Sequence, residues 1–124
     1  MTNLIIETDL NPIKIIEFLK NFDQNSVLIN YDTGNSAYWG YNETEEIMAY
    51  GHKIGNIHMK DCTKKDYTVP LGKGEVNFKK IFQLLKKIKY HNDFIVQAAR
   101  SGKDFKDCQN YYFFLKNYLN EFIN

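Results

Sequence analysis

Two patterns of apolar residues alternate along the chain. Leu4 to Ile6, Val27 to Tyr31, Ile54 to Met59 and Phe94 to Ala98 are short, rich in β-branched and aromatic side chains, and have the length of buried strands. Each is followed by a segment whose apolar positions recur at helical spacing. Asn11 caps the first helix, with Pro12 at its first position and Ile13, Ile16, Leu19 and Phe22 along one side, so it is expected to run to about Phe22. Asn42 and Glu45 form a capping box for a short helix that carries Ile47, Met48 and Tyr50 and closes at Gly51. Asn77 caps a third, whose Phe78, Ile81, Phe82, Leu85 and Ile88 face inward while the lysines between them are solvated. The last runs from about Lys103 to Phe122, with Phe105, Cys108, Tyr112, Leu115 and Leu119 on its inner side. The pattern predicts an α/β fold of four βα units, with a parallel sheet and right-handed crossovers. No linker divides residues 1–124, which are expected to form one domain. The one long connection, 61–77, contains Pro70, Gly72 and Gly74.

Strand parity separates two faces, because successive side chains point to opposite sides. Val27, Ile29, Tyr31, Ile57, Met59, Phe94, Val96 and Ala98 suit a surface covered by helices. The other phase is mixed: Leu28, Asn30, Asp32, Asn56, His58, Ile95 and Gln97, with Glu7 ending the first strand. An open sheet covered on both sides should be apolar on both, whereas a barrel interior leading to an active site gives this asymmetry.

Charge and cysteine content narrow the functional classes. Sixteen basic against fifteen acidic residues leave a formal net charge of +1, too small an excess to hold a phosphate backbone, which argues against a nucleic-acid partner. No apolar run approaches the roughly 18 residues that cross a bilayer. The amino terminus lacks the basic-then-apolar plan of a signal peptide, so a cytoplasmic protein with no membrane partner is expected. Cys62 and Cys108 are too few and too far apart for a disulfide framework or zinc ribbon and are expected as free thiols.

Glu7, Asp32, His58 and Gln97 stand at or just past the carboxyl ends of the four strands, one per βα unit and all in one phase. In a barrel they would converge into an oxygen-rich set with one nitrogen, suited to Mn²⁺, Mg²⁺ or Co²⁺ and less typical of structural zinc. Taken singly, a strand-end acid is more often a helix cap and a lone histidine a hydrogen-bonded core residue. Lys60, two positions beyond His58, shares its inward phase.

In order and spacing, Leu4-Ile5-Ile6-Glu7, Asp32-Thr33-Gly34-Asn35, Ile57-His58-Met59-Lys60-Asp61 and Pro70-Leu71-Gly72-Lys73-Gly74-Glu75-Val76-Asn77-Phe78 resemble the carboxyl-terminal half of the xylose isomerase-like TIM barrels. That superfamily comprises sugar and sugar-phosphate isomerases and epimerases together with apurinic endonucleases of the endonuclease IV type. The resemblance implies a divalent metal (Mn²⁺, Mg²⁺ or Co²⁺, with Zn²⁺ a further candidate) held by strands five to eight in the order Glu, Asp, His, Glu. Glu7, Asp32 and His58 match the first three positions; Gln97 stands at the fourth. An amide oxygen can ligate a metal but cannot abstract a proton, so Gln97 counts against a two-carboxylate epimerase mechanism and Glu7 is the expected single base of a one-sided enolisation. By position, Lys60 is a candidate second catalytic group, Asn35, Tyr38 and Trp39 in the loop after strand six are candidates to cover a sugar ring, and Arg100, just past strand eight, is a candidate to hold phosphate or another acidic group. Salt bridges and loop packing are the plain alternatives for these residues.

The implied function is a metal-dependent isomerase or epimerase acting on a sugar or sugar phosphate through an enediolate. The alternative is a non-catalytic barrel piece that binds a ligand or partner. The endonuclease reading fails on its histidines, since Asn35 and Asp66-Tyr67-Thr68 replace its His-bearing motifs. The Leu71-Gly72-Lys73-Gly74 segment lacks the full phosphate-loop pattern and is expected to be a turn. A closed eight-stranded barrel takes about 250 residues, so the chain is expected to be a half-barrel completed by a second copy as a homodimer, or by a complementary half-barrel.

Overall fold

The computed structural model describes residues 3–64 and 67–124. In chain order the elements are β1 (Leu4–Glu7), α1 (Pro12–Leu19), β2 (Val27–Asp32), α2 (Thr33–Trp39), α3 (Glu43–Tyr50), β3 (Ile54–Met59), β4 (Asp61–Cys62), β5 (Thr68–Val69), α4 (Phe78–Lys87), β6 (Asp93–Val96) and α5 (Asp104–Tyr118). Strands β1, β2, β3 and β6 form one sheet in that order, every pair parallel. This is the expected set of four βα units, a partial barrel. No helix among the described residues is long and apolar enough to cross a membrane.

Ile29, Tyr31, Ile57 and Met59 turn to the helices and are almost fully buried against Ile47, Phe82 and Leu85. On the other face Ile5 and Ile95 are each 40% exposed. The helix-side set is buried or half-buried with one exception, Val96, which is exposed because it ends the edge strand β6; on the inner side Asn30 and Asp32 are buried as well. The β2–β3 register slips after Ile29, where Gly55 of β3 is inserted so that Asn30 pairs with Asn56 and Asp32 with His58.

Several boundaries differ from the sequence reading. Helix α1 stops at Leu19 instead of Phe22, because the Asn21 side chain donates to the Glu17 and Phe18 carbonyls and turns the chain. Strand β6 ends at Val96, leaving Ala98 and Gln97 beyond it, although the Gln97 N–H still donates to the Met59 carbonyl (3.1 Å). Residues Thr33–Trp39, expected as loop, form α2 with Asp32 as its cap and Gly40 in the left-handed conformation closing it. Helix α5 packs through Tyr111, Phe114, Leu115 and Tyr118, so its buried stripe is rotated from the predicted one, and Phe105, Cys108 and Tyr112 face outward. The phase is set by ring contacts of Phe114 and Tyr118 with Phe78 and of Tyr118 with Phe82.

One carboxylate holds residues 72–76 of the long connection. β4 and β5 pair antiparallel, and the fully buried Asp61 accepts N–H bonds from Gly72 (2.9 Å), Gly74 (2.9 Å) and Val76 (3.2 Å). A Cβ at Gly74 would run into that carboxylate and the Cys62 carbonyl. The glycines thus serve a turn built around Asp61. Asp66, one of the residues set against the endonuclease motif, lies outside the described residues. Both cysteines are free.

Candidate metal centre

The parallel register brings the strand ends together from three neighbouring strands. Glu7 is opposite Asn30 and Asp32 is opposite His58, all in the inward phase. His58 Nδ1 lies 3.2 Å from Glu7 Oε2 and 3.8 Å from Asp32 Oδ2, and one ligand atom from each residue falls within 4.8 Å of the others.

Each member is held by a different device. Asp32 is both a helix cap and a site residue: its Oδ1 accepts the Asn35 N–H at 2.8 Å, which starts α2 and fixes the carboxylate plane. Its Oδ2 is buried without a hydrogen-bond partner, as is His58 Nδ1. Glu7 is tied on both oxygens by amides, Oε2 to Asn30 Nδ2 (2.6 Å) and Oε1 to Asn35 Nδ2 (2.9 Å). Burial pushes the Asp32 carboxyl above the usual carboxylate range; the Asn35 N–H and Lys60 offset part of this, and the Glu7 charge adds to it.

Lys60 reaches the same place by lying across α2. Its stem passes over Gly34, where a Cβ would sit 2.6 Å from Lys60 Cγ, and its Nζ donates to Asn35 Oδ1 (3.2 Å) and lies 4.0 Å from Asp32 Oδ2. The Lys60 backbone is fixed by Thr33, whose Oγ1 donates to the Lys60 carbonyl and accepts its N–H. Asn35, predicted as a substrate contact, is engaged on both ends of its amide, bridging Glu7 and Lys60.

Among the described residues, no hydrogen bond or ion pair joins the remaining predicted residues to this cluster, although Trp39 borders a small cavity with Asp32 and Asn35. Gln97 is exposed, and among the described residues no hydrogen bond joins its side chain to Glu7, Asp32 or His58; it lines a cleft of about 300 Å³ with Arg100, Cys108 and Tyr111. Arg100 also borders a cleft of about 450 Å³ formed with Leu71, Tyr111 and Phe114. Trp39, half-exposed at the end of α2, packs edge-on against Tyr38. Sequence reasoning missed Asn30, although its inward phase was legible, and it missed the buried acid Glu46 on α3.

The donor set fits a divalent cation. Two carboxylate oxygens and one imidazole nitrogen converge, two of the three atoms are buried without a hydrogen-bond partner, and a cation among them would satisfy both. Asn30 and Asn35 supply the outer hydrogen bonds that orient a ligating carboxylate.

Comparison with known proteins agrees with this architecture. An inosose dehydratase of Clostridium botulinum is 28% identical over 97 residues, covering 63% of this chain and 32% of its own length. The crystal structure of a xylose isomerase domain protein from Planctomyces limnophilus superposes with a TM-score of 0.84 at 20% identity, over 98% of this chain and 48% of that one. A D-tagatose 3-epimerase-like protein gives 0.75 at 22% identity, over 95% and 46%. The chain therefore spans about a third of the length of the curated relative and about half that of the solved structures. Residues 4–109 match the family described as xylose isomerase-like TIM barrel, and the chain belongs to that family.

Proposed function

We propose that this chain carries the divalent-metal portion of an isomerase or epimerase site for a sugar or sugar phosphate. The observation that carries the reading is the convergence of Glu7 Oε2, Asp32 Oδ2 and His58 Nδ1, with the last two buried and without a hydrogen-bond partner. Glu7, Asp32 and His58 would hold the metal, with Gln97 as a neutral fourth ligand. When bound, a divalent ion polarises a substrate carbonyl and stabilises the enediolate that forms on proton removal. The names of the relatives, a dehydratase and an epimerase-like protein, are compatible with one shared first step, since proton removal beside a carbonyl opens either outcome.

Glu7 is the base in this reading, and Lys60 is the group placed to donate a proton or hydrogen bond to a substrate oxygen. Asn35 keeps Glu7 aimed, while Trp39 and Arg100 offer a ring surface and an anion contact at the margin. Incubation of the chain with Mn²⁺ and a panel of ketoses and their phosphates in deuterated water tests it. Deuterium should enter beside the carbonyl, and Glu7→Gln should reduce incorporation at least a hundredfold. Incorporation unaffected by Glu7→Gln would remove the catalytic assignment and favour the second reading, a non-catalytic binding protein, for which Gln97 in place of an acid is the specific observation.

Among the described residues, β1 and β6 each have one edge without a strand partner, with apolar side chains on the inner face. Both edge strands have four residues, so the β1 edge of one copy matches the β6 edge of another in length. We propose that four further parallel strands complete the barrel, most simply those of a second copy. A sedimentation mass of twice 14.7 kDa is expected; a monodisperse monomer would count against self-pairing.

A further inference from the structure

Helix α3 carries a carboxyl group that the proposed reaction does not use. Glu46 is 3% exposed, and among the described residues no cation pairs with it. Its oxygens are spent on hydroxyls: Oε2 accepts from Ser36 Oγ and from Tyr31 Oη (3.1 Å), and Oε1 accepts from Tyr50 Oη at 3.4 Å. The positions of two of these partners matter. Tyr31 immediately precedes Asp32, and Ser36 immediately follows Asn35.

One buried carboxyl from a separate helix thus grips both ends of the segment 32–35. Within that segment Asp32 offers to the metal centre an Oδ2 without a hydrogen-bond partner, the Asn35 N–H fixes the other Asp32 oxygen, and the Asn35 amide holds Glu7. The two sides border a common cavity of about 20 Å³; Glu46, Tyr31 and Ser36 line it together with Asn30, Asp32 and Asn35. Burying a carboxyl is costly where an apolar side chain would pack as well. A directional grip on a turn is something an apolar side chain cannot supply.

We propose that Glu46 is a positioning residue for the metal centre: by fixing Tyr31 and Ser36 it sets the β2–α2 turn that presents Asp32 and, through Asn35, aims Glu7. This rests on the metal-site reading given above. The test is calorimetric titration of the 124-residue chain with Mn²⁺ alone, at a temperature well below unfolding, with Tm recorded for every variant. Outer hydrogen-bonding partners typically change metal affinity about 10- to 100-fold, so Glu46→Ala is expected to weaken Mn²⁺ binding about tenfold. Glu46→Gln, which keeps the shape and an acceptor, should stay within about threefold of wild type. Ser36→Ala, which leaves the carboxyl in place but cuts its link to the turn, should weaken binding severalfold and serves if Glu46→Ala does not fold. Ile47→Val, a core change on the same helix, should lower Tm without altering affinity. Unchanged Mn²⁺ affinity in Glu46→Ala and Ser36→Ala would overturn the positioning role while leaving the metal site standing, and so would an equal loss in Ile47→Val. A wild-type chain that binds no Mn²⁺ would overturn the metal-site reading and this proposal with it.

Discussion

Strand β2 carries two acid clusters on its opposite faces, and they are finished differently. On the helix side Glu46 meets Tyr31, Ser36 and Tyr50, and both of its oxygens have hydroxyl donors. On the inner side Asp32, Glu7 and His58 crowd together, yet Asp32 Oδ2 and His58 Nδ1 are buried without hydrogen-bond partners, held only by ion-pair contacts. Both clusters place a carboxyl group in a desolvated setting, and burial raises the proton affinity of Asp32 and Glu46 alike. Only the first is satisfied from within the protein. Buried polar atoms are ordinarily paired, so the difference separates an acid that holds structure from acids arranged to receive something.

The largest effect expected from breaking this contrast is at Asp32. Asp32→Ala removes a charged ligand and should weaken Mn²⁺ binding at least a hundredfold by calorimetry. It also removes the α2 cap, worth about 1 kcal/mol, so Asp32→Asn, which keeps an acceptor for the Asn35 N–H, should recover the cap and not the affinity. A ligand at about 100 times its Kd stabilises a fold by about 2.7 kcal/mol. Mn²⁺ should therefore raise the Tm of the wild-type chain and leave that of Asp32→Ala unmoved.

A smaller effect tests the other cluster. Burial outweighs the three hydroxyl donors and lifts the Glu46 carboxyl above its ordinary range, whereas the unfolded chain releases that proton near pH 4.3, roughly the reference value for glutamate. Between those two points the folded state binds more protons than the unfolded state, so this residue's contribution to stability falls as pH rises. Glu46→Gln removes that loss. Its Tm relative to wild type should increase as pH is raised from about 4 to about 8, and a difference that stays constant or shrinks would show that burial does not lift the Glu46 carboxyl. Asp32 titrates in both proteins and cancels in the comparison.

The smallest effect concerns the exposed fourth position. Gln97→Glu should tighten Mn²⁺ binding by about three- to tenfold, as an added anionic oxygen ligand suits a hard cation. No change would place residue 97 outside the coordination sphere.

Much of this contrast is legible in the sequence. Side-chain alternation sorts Glu7, Asp32 and His58 onto one face, and their strand-end positions survive the Gly55 bulge because β3 extends past it to His58. Helix α2 is hidden because Gly34, Asn35 and Ser36 favour helices weakly; its one signal is Asp32 as a cap. Glu46 reads as a solvated residue of a capping-box helix, and only its spacing of four from Tyr50, on the buried side, hints otherwise. Similarly, the inner stripe of α5 cannot be chosen from a segment with aromatic residues on all sides, since ring packing on Phe78 and Phe82 decides the phase.

The most direct test of the central claim is anomalous scattering from crystals of the chain grown with saturating Mn²⁺. A metal peak within coordination distance of Glu7 Oε2, Asp32 Oδ2 and His58 Nδ1 is predicted. An anomalous map with no peak at these three atoms, in crystals where Mn²⁺ is bound elsewhere or not at all, would contradict the metal centre.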